Sequence, residues 1–210
     1  MLYCYQFYTK WLHLNMNHPL IDTVRKAVPL SEEEAAYALS FYREKKFKKN
    51  ELLLRAGDVA HDVYFVLSGG LHQYYTDENA TDRTCNFTFE NNFVPDLQSF
   101  SKKAPSASAI TALMPAQCLL ISCEDLNELL RTSPAVSRYF SILMERIAAE
   151  SIRRTKSLLS STPEKQFKEL LEQEPEIFQK VPQRYIAQYL GVAPESLSRI
   201  KKRLMQPVKS

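Results

Sequence analysis

Several features are scarce in this chain of 210 residues, and each scarcity excludes a class of protein. The sequence has four glycines and four histidines. It contains no glycine-rich phosphate loop, no nucleophile elbow and no HExxH metal-binding motif. Its apolar runs are a few residues long, far below the ~20 that a membrane-spanning helix needs. We therefore expect neither an enzyme nor a membrane protein, and no cofactor.

The cysteines are also few and do not form a disulfide framework. Cys4, Cys85, Cys118 and Cys123 are scattered through a chain that is 45% hydrophobic and can bury a core without crosslinks. The first 18 residues interleave aromatic and polar residues, so they lack the apolar core of a secretory signal. Reduced thiols and a cytoplasmic location are the expected consequences.

The positive charge is concentrated at one end of the chain. The formal net charge is +3 in total. From Val181 onward one acidic residue faces six basic ones, a net charge of +5, so the other residues carry −2. Such an asymmetry indicates that the C-terminal part meets a polyanion, with a solvated basic terminus as the alternative. The basic residues are Arg184, Arg199, Lys201, Lys202, Arg203 and Lys209.

The middle of the chain has the pattern of an antiparallel β unit. Two β-branched and aromatic runs, 63–67 and 71–75, are joined by Ser-Gly-Gly, which predicts a hairpin. Further strands are predicted at 84–90, 106–113 and 117–122. Each of the four glycines is expected to need a positive φ in a turn between such segments.

Helices are predicted on both sides of this β unit. The segment 30–42 begins with Ser31 and has Glu34 three residues later, the pattern of a capping box. A shorter helix follows at 123–133. The segment 134–161 opens with Pro134 and contains no further proline or glycine, which predicts a helix about 40 Å long.

An apolar seam on this long helix has two interpretations. Val136, Phe140, Leu143 and Ile147 are spaced by four, three and four residues, as in a coiled coil. The seam predicts a dimer interface, and packing against the β unit would produce the same stripe.

After a Ser-Ser-Thr-Pro break at 160–163, the chain ends in short amphipathic helices. The segment 163–179 predicts an amphipathic helix that stops near Pro175. Ile186, Ala187 and Leu190 then precede a glycine turn, and apolar residues recur on a second helix that follows it. This is a helix-turn-helix of about twenty residues. Its outward positions carry residue types that contact DNA bases and phosphates, and an ordinary αα-hairpin is the alternative. These positions are Glu195, Ser196, Ser198, Arg199 and Lys202.

Two stretches resemble the Crp/Fnr family of bacterial transcription regulators. IAQYLGVAPESLSRIKKRL is similar to the family's recognition segment, and LLLRAGDVAHDVYFVLSGGL is similar to its cyclic-nucleotide-binding-type β-roll. The resemblance covers about residues 20–205 in consistent order. It implies an α+β fold with an antiparallel β-roll (jelly roll), a long dimerisation helix and a C-terminal helix-turn-helix. Because the sequence ends at Ser210, we expect no full wing after it.

The resemblance also divides the chain and assigns roles to residues. The expected domains are a poorly ordered extension (1–17), a sensor (18–133), a dimerisation helix (134–161) and a DNA-binding domain (162–210), with Met16 as a candidate start. Glu195 and Arg199 match positions that read bases, Ser196 matches a phosphate contact, and Gln183 and Arg184 match contacts to the DNA backbone. Pro194 stands where well-known members have a basic residue, so one base contact is in doubt.

The predicted sensor departs from the cyclic-AMP-binding pattern. Members that bind cyclic AMP have Gly-Glu followed, about ten residues later, by Arg-Ser/Thr-Ala. Here Pro95-Asp96 and Ser106-Ala107-Ser108 occupy those places. A buried phosphate without its arginine would be unpaired. We therefore expect no cyclic AMP binding of the usual kind and interpret Lys102 and Lys103 as an exposed loop. The candidate effector-pocket residues are Asp96, Ser106, Ser108 and Ser151.

No other known sensor chemistry of the family is indicated. Cys4 stands alone where an iron–sulfur sensor needs clustered cysteines, and no histidine or cysteine set has metal-ligand spacing. The sequence therefore predicts a homodimeric transcription regulator that binds a near-palindromic site on double-stranded DNA. Its effector is unknown and differs from cyclic AMP, or is absent, and RNA polymerase is a further candidate partner. The alternative is a protein-interaction or ligand-sensing module that does not bind DNA.

Overall fold

The computed structural model describes residues 18–94 and 96–205. The predictions for Cys4, Met16, Pro95, Lys209 and the segment 1–17 lie outside the described residues. The chain divides into two compact units. The first contains the described residues up to Leu71 and Thr88–Arg146; the second contains His72–Phe87 and the residues from Ile147 onward.

The described residues form eight strands and nine helices. The strands are β1 (Arg43–Phe47), β2 (Leu52–Leu54), β3 (Asp62–Ser68), β4 (Gly70–Thr76), β5 (Asp82–Phe89), β6 (Phe93–Val94), β7 (Ala109–Ala112) and β8 (Ala116–Ser122). The helices are α1 (Pro19–Arg25), α2 (Glu32–Leu39), α3 (Leu97–Lys102), α4 (Cys123–Thr132), α5 (Pro134–Ser160), α6 (Pro163–Gln173), α7 (Ile177–Lys180), α8 (Gln183–Tyr189) and α9 (Pro194–Met205).

The strands are arranged in two four-stranded sheets. One has the order β1-β8-β3-β6 and the other the order β2-β7-β4-β5. In the first sheet β8 pairs antiparallel with both β1 and β3, with Phe65 opposite Leu119 and Phe47 opposite Ala116. The predicted α+β class and its antiparallel β-roll are confirmed.

Strand β3 is buried on both of its faces. Phe65 packs in a cluster with Leu20 and Ile21 of α1, whereas Val66 belongs to a second cluster that includes Ile110 of β7. Alternate residues of a strand point to opposite faces of its sheet, so this continuous burial places β3 at the centre of the first unit. The run VYFVL therefore marked the core correctly.

The hairpin between β3 and β4 needs its two glycines for different reasons. Gly69 has a φ of 85°, and a Cβ there would lie 2.2 Å from the Pro115 carbonyl oxygen. Gly70 does not have a positive φ, so that part of the sequence prediction was wrong. A Cβ on Gly70 would lie 2.8 Å from the ring of Phe89, and the ring's close approach explains this glycine instead.

Several elements begin or end differently from the sequence prediction. The capping box of α2 is present, since Ser31 and Glu34 each accept a hydrogen bond from the other's backbone N–H, but α2 ends at Leu39 because β1 begins at Arg43. Strand β1 was missed because four of its five residues are exposed and charged, which hides the alternation of a strand. Helix α1 was missed as well.

The segment 163–179 forms two helices, and the first of them stops near Pro175 as predicted. Helix α6 ends at Gln173, and its C-cap Glu174 has a φ of −138° and a ψ of 61°. Because Glu174 precedes Pro175, the α conformation is disfavoured there, and a new turn of helix starts only at Ile177. The long helix α5, in contrast, matches its prediction to within one residue at its end.

The helices of the second unit have their own core. Phe167 of α6, Ile177 of α7, Ile186 of α8 and Leu197 of α9 are almost completely buried. Phe167 and Phe178 pack with ring centroids 4.8 Å apart. No helix among the described residues is long and apolar enough to cross a membrane.

Candidate functional site

Helices α8 and α9 are joined by a turn that fixes the direction of α9. The N–H of Gly191 donates to the carbonyl of Gln188 (3.1 Å) and the N–H of Val192 donates to that of Ala187 (3.0 Å). This pair of bonds is a Schellman motif, which requires a left-handed residue, and Gly191 has a φ of 66°. The predicted glycine turn is confirmed.

Helix α9 separates its apolar and polar residues onto two faces. Leu197 and Ile200 are buried. Glu195, Ser198, Arg199 and Lys202 are exposed, and Ser196 is half-buried. Burial of one face therefore holds the helix in place, while four of the five nominated side chains on it remain accessible to a partner.

Hydrogen bonds connect some of the nominated residues of α8 and α9. The side-chain amide of Gln183 donates to the hydroxyl of Ser198 (3.0 Å), and the guanidinium of Arg199 donates to the hydroxyl of Ser196 (3.2 Å). Arg184 stacks on Tyr185, 4.5 Å from the ring centroid. The structure thus brings Gln183 of the first helix to the polar face of the second.

Two further basic residues of α9 are exposed. Lys201 and Arg203 are exposed on α9 beside Lys202. Arg203 forms an ion pair with Glu164 of α6. Sequence reasoning counted Lys201 and Arg203 in the basic tail and did not nominate them, and the exposure of Lys201 adds it to the candidates.

A second polar cluster, formed by Asp96, Ser106 and Ser108, lies in the first unit. The Ser106 hydroxyl donates to the Asp96 carboxylate and accepts from the N–H of Ser108 (2.9 Å). Asp96 also caps α3 by accepting from the N–H of Ser99 (3.1 Å). The structure therefore brings three of the four nominated effector residues together, with their polar groups bonded to each other.

The remaining residues nominated or considered near the predicted pocket are exposed. Lys102 lies in the last turn of α3 and Lys103 caps it, so this pair ends a helix and is not part of a plain loop as predicted. Lys103 is 3.9 Å from Glu124 in an exposed ion pair. Ser151 is exposed on α5, in the second unit.

Most of the predicted seam on α5 packs against the core of the first unit, to which this part of the helix belongs. Val136 is buried, and Phe140 and Leu143 are half-buried against the core clusters. Ile147, in the second unit, is half-buried as well. Packing against the β unit, the alternative interpretation of the stripe, accounts for the first three residues. Their role in a dimer stays a prediction.

The C-terminal half of α5 has a different apolar face. Ile152 is 57% exposed and Leu159 is 83% exposed. Together with Ala148 and Thr155, both exposed, they repeat every three or four residues and lie on one side of the helix. Sequence reasoning missed this face because the first seam ends near Glu150 and the second is offset from it.

A buried histidine attaches helix α8 to the β4–β5 hairpin within the second unit. The ring of His72 lies 4.4 Å from that of Tyr185 and stacks between Tyr74 and Phe87. Its Nε2 is 3.0 Å from the Thr84 hydroxyl. Burial lowers the pKa of His72 to about 4, and Asp82 and Arg184 oppose each other in smaller effects. His72 is therefore neutral at pH 7.

Arg154 of α5 reinforces the same attachment. Its guanidinium stacks 3.7 Å from the ring centroid of Tyr189 and donates to the carbonyls of Thr84 (3.3 Å), Tyr189 (3.4 Å) and Cys85. Thr84 in turn donates to the side-chain carbonyl of Gln188 (3.1 Å). The only sequence signal for this role was that Arg154 interrupts an apolar seam.

The three cysteines that the structure describes do not form a common site. Cys118 is buried, and burial raises the pKa of its thiol to about 12, while Cys85 and Cys123 are half-buried. Across the described ranges no group of three or more His, Cys, Asp and Glu side chains is placed to hold a metal.

Comparisons with known proteins assign a domain type to one part of the chain. The family described as the cyclic nucleotide-binding domain matches residues 44–133. This range contains most strands of the β-roll together with helices α3 and α4. No protein of curated function matches the sequence.

Solved structures show where the same fold occurs. The catabolite activator protein of Thermus thermophilus has a TM-score of 0.57 and 20% identity, over 87% of this chain and 86% of that chain. FixK2 from Bradyrhizobium japonicum has a TM-score of 0.67 and 16% identity, over 78% and 84%. The c-di-GMP-responsive global regulator CLP of Xanthomonas campestris has a TM-score of 0.67 and 18% identity, over 83% and 91%. At such identities these likenesses establish the fold.

Proposed function

We propose that this protein is a sequence-specific DNA-binding transcription regulator of the Crp/Fnr type. The observation that carries the proposal is the polar face of α9. The opposite face is anchored by the buried Leu197 and Ile200. The exposed residues of the polar face are Glu195, Ser198, Arg199 and Lys202. A helix held by its apolar face with an accessible basic face suits the major groove of DNA. The net charge of +5 after Val181 supports a polyanionic partner.

Each exposed side chain has a proposed task. Arg199 can donate two bonds to a guanine, and Glu195 can accept from a cytosine amino group. Ser196 and Arg184 are suited to phosphates, which position the protein without reading sequence. Gln183 already bonds Ser198 across the turn, so it can orient that hydroxyl toward the DNA.

The regulator is proposed to act as a homodimer. The exposed apolar face of α5 formed by Ala148, Ile152, Thr155 and Leu159 has the heptad spacing of a coiled-coil seam. Pairing two copies of α5 would bury Leu159, which is otherwise 83% exposed. Two copies of α9 could then enter successive major grooves about 34 Å apart on a near-palindromic site.

The proposed effector is not cyclic AMP. Where the resemblance places the phosphate-binding arginine, this chain has the buried Ser106, bonded to the Asp96 carboxylate. A carboxylate there would repel a phosphate, and Lys102 and Lys103 are exposed on α3 and at its end. The DNA-binding face is therefore proposed to be controlled by another ligand or to be competent without one.

Replacing Arg199 tests this proposal most directly on the protein itself. We expect Arg199→Ala to weaken binding to a selected duplex by roughly tenfold to hundredfold and to relax specificity at one base pair per half-site. Fluorescence anisotropy at several salt concentrations measures both the affinity and the number of phosphate contacts.

Lys168→Ala is the matched control, because Lys168 is an exposed basic residue on α6, outside the proposed surface. Equal affinity of the wild type and Arg199→Ala would refute the proposed role of α9. Absence of any salt-dependent DNA binding would favour the protein-interaction alternative instead.

A further inference from the structure

Arg203 differs from the other exposed basic residues of α9 because a carboxylate of another helix binds it. Its guanidinium donates to the carboxylate of Glu164, in the first turn of α6 within the same unit. Within the described ranges, Arg199, Lys201 and Lys202 of α9 form no ion pair. The charge of Arg203 is therefore neutralised inside the protein, whereas the charges of the other three residues are open to a partner.

The position of Arg203 on α9 places it beside the proposed DNA-binding face. It follows Arg199 by four residues and Ser196 by seven, and residues at these spacings lie on one side of a helix. Ser196 is the residue of this side that is proposed to contact a phosphate. The side chain of Arg203 is long and 62% exposed. Once released from Glu164, its guanidinium could therefore reach the DNA backbone on the same side.

The ion pair contributes little to holding α9 in place. Both side chains are accessible to solvent, that of Glu164 at 39%, and solvent screens such pairs. The buried Leu197 and Ile200 anchor the helix instead. Glu164 also favours the start of α6, where the helix dipole attracts a carboxylate. The bond to Arg203 thus has a consequence for binding that exceeds its consequence for the fold.

Glu164 and a DNA phosphate would compete for one guanidinium. Arginine binds carboxylates and phosphates through the same fork of N–H donors, so a carboxylate that occupies the fork excludes the phosphate. While Arg203 neutralises Glu164, it neutralises no phosphate and releases no counterion from the DNA. A carboxylate at this position also repels the DNA backbone. Both effects of Glu164 weaken DNA binding.

We propose that Glu164 limits the DNA affinity of α9 by holding Arg203 away from the phosphate backbone. The inference rests on the proposed DNA-binding function and adds a means of regulating the same surface. Because phosphates carry no base sequence, Glu164 affects how tightly a duplex is bound and not which sequence is preferred. Any change that neutralises Glu164 or displaces its carboxylate makes Arg203 an additional phosphate contact.

Glu164→Gln in the full-length protein tests this competition, because it removes the charge and keeps the shape of the side chain. Fluorescence anisotropy measures the binding of a selected duplex and of a scrambled duplex of equal length, between about 50 and 200 mM salt. We expect Glu164→Gln to bind both duplexes about three- to tenfold more tightly at the lower salt concentrations. The plot of log K against log salt should become steeper by about 0.9, the value for one phosphate contact.

Two further variants separate the release of Arg203 from a general change of charge. Glu172→Gln removes one exposed carboxylate from the same helix, about 12 Å farther along its axis, and should change the affinity less than about twofold. Adding Arg203→Gln to Glu164→Gln removes the released guanidinium, so the gain in affinity and the steeper salt dependence should both disappear. Thermal unfolding should show each variant folded, with a Tm within about 4 °C of the wild type.

Three results would overturn the inference while leaving the proposed function intact. They are a Glu164→Gln protein that binds DNA no more tightly than the wild type, an equal gain in Glu172→Gln, and a gain that persists when Arg203→Gln is added. A wild-type protein without salt-dependent DNA binding would instead refute the proposed function, and the inference with it.

Discussion

Two polar clusters of this protein differ in where their hydrogen bonds go. In the first unit Asp96, Ser106 and Ser108 bond to one another, and Ser106 is buried. On α9 the side chains of Glu195 and Arg199 are exposed, and Arg199 donates to the nearby Ser196 at 3.2 Å. The hydrogen bonds of the first cluster are therefore made within the fold, whereas the side chains of the second remain exposed to solvent.

This contrast indicates that the polar groups of α9 are accessible to a partner, whereas those of the Asp96 cluster already bond to one another. A nucleotide at the Asp96 cluster would have to displace bonds that already satisfy buried groups, and its phosphate would meet a carboxylate. A DNA duplex at α9 would displace mainly water. This difference supports the proposal that residues 44–133, which match the cyclic nucleotide-binding domain, do not bind cyclic AMP in the usual way.

The largest predicted effect is a loss of folding stability at low pH, caused by the buried His72 of the second unit. Its pKa of about 4 in the folded protein lies below the 6.5 of an unperturbed histidine. The unfolded chain thus binds the proton first as the pH falls. Stability is complete above pH 6.5 and is lost between pH 6.5 and 4, by about 3 kcal/mol in total.

Urea unfolding at pH 7 and pH 4.5, followed by Tyr fluorescence, measures this loss. His72→Phe keeps an aromatic ring in the stack and removes the titration, so the difference between the two proteins isolates the histidine. An identical pH dependence of both proteins would contradict the assignment.

A smaller effect separates the two polar clusters directly. Asp96→Ala removes the cap of α3 and the acceptor of the buried Ser106 hydroxyl, so we expect it to lower the free energy of unfolding by about 1–2 kcal/mol. Ser198→Ala on α9 should change that free energy by less than about 0.5 kcal/mol, because Ser198 is exposed. Thermal unfolding of both variants provides the measurement. A larger loss of stability in Ser198→Ala than in Asp96→Ala would contradict the structural role of the Asp96 cluster.

The smallest predicted effect is that of cyclic AMP. A ligand at one hundred times its Kd stabilises a protein by about 2.7 kcal/mol. We expect cyclic AMP at about 1 mM to leave the Tm unchanged, because the Asp96 cluster offers no arginine for its phosphate. A rise in Tm that Ser106→Ala abolishes would show that the cluster is a nucleotide site after all.

The sequence revealed those parts of the fold that depend on local pattern. Gly69 and Gly191, the capping box at Ser31 and the uninterrupted run of α5 each follow from a local requirement, and each was predicted. Strand β1 was missed because its exposed face is charged, and only pairing with β8 makes it a strand. The alternation that identifies a strand was absent.

The candidate sites divide in the same way. The outward face of α9 could be predicted from apolar spacing, since Leu197 and Ile200 fix the rotation of the helix. The tasks of His72 and Arg154 could not, because each depends on residues distant in sequence. Arg154 bonds the carbonyl of Thr84, 70 positions away, and no local pattern contains that information.

We propose above that α9 reads DNA sequence without cyclic AMP. Selection from a randomised duplex library by the purified protein, at moderate salt and with no nucleotide added, tests it most directly. We expect enrichment of a near-palindrome with half-sites about 10 base pairs apart, centre to centre. Enrichment that appears only when cyclic AMP is added would show that DNA binding by this protein depends on the nucleotide.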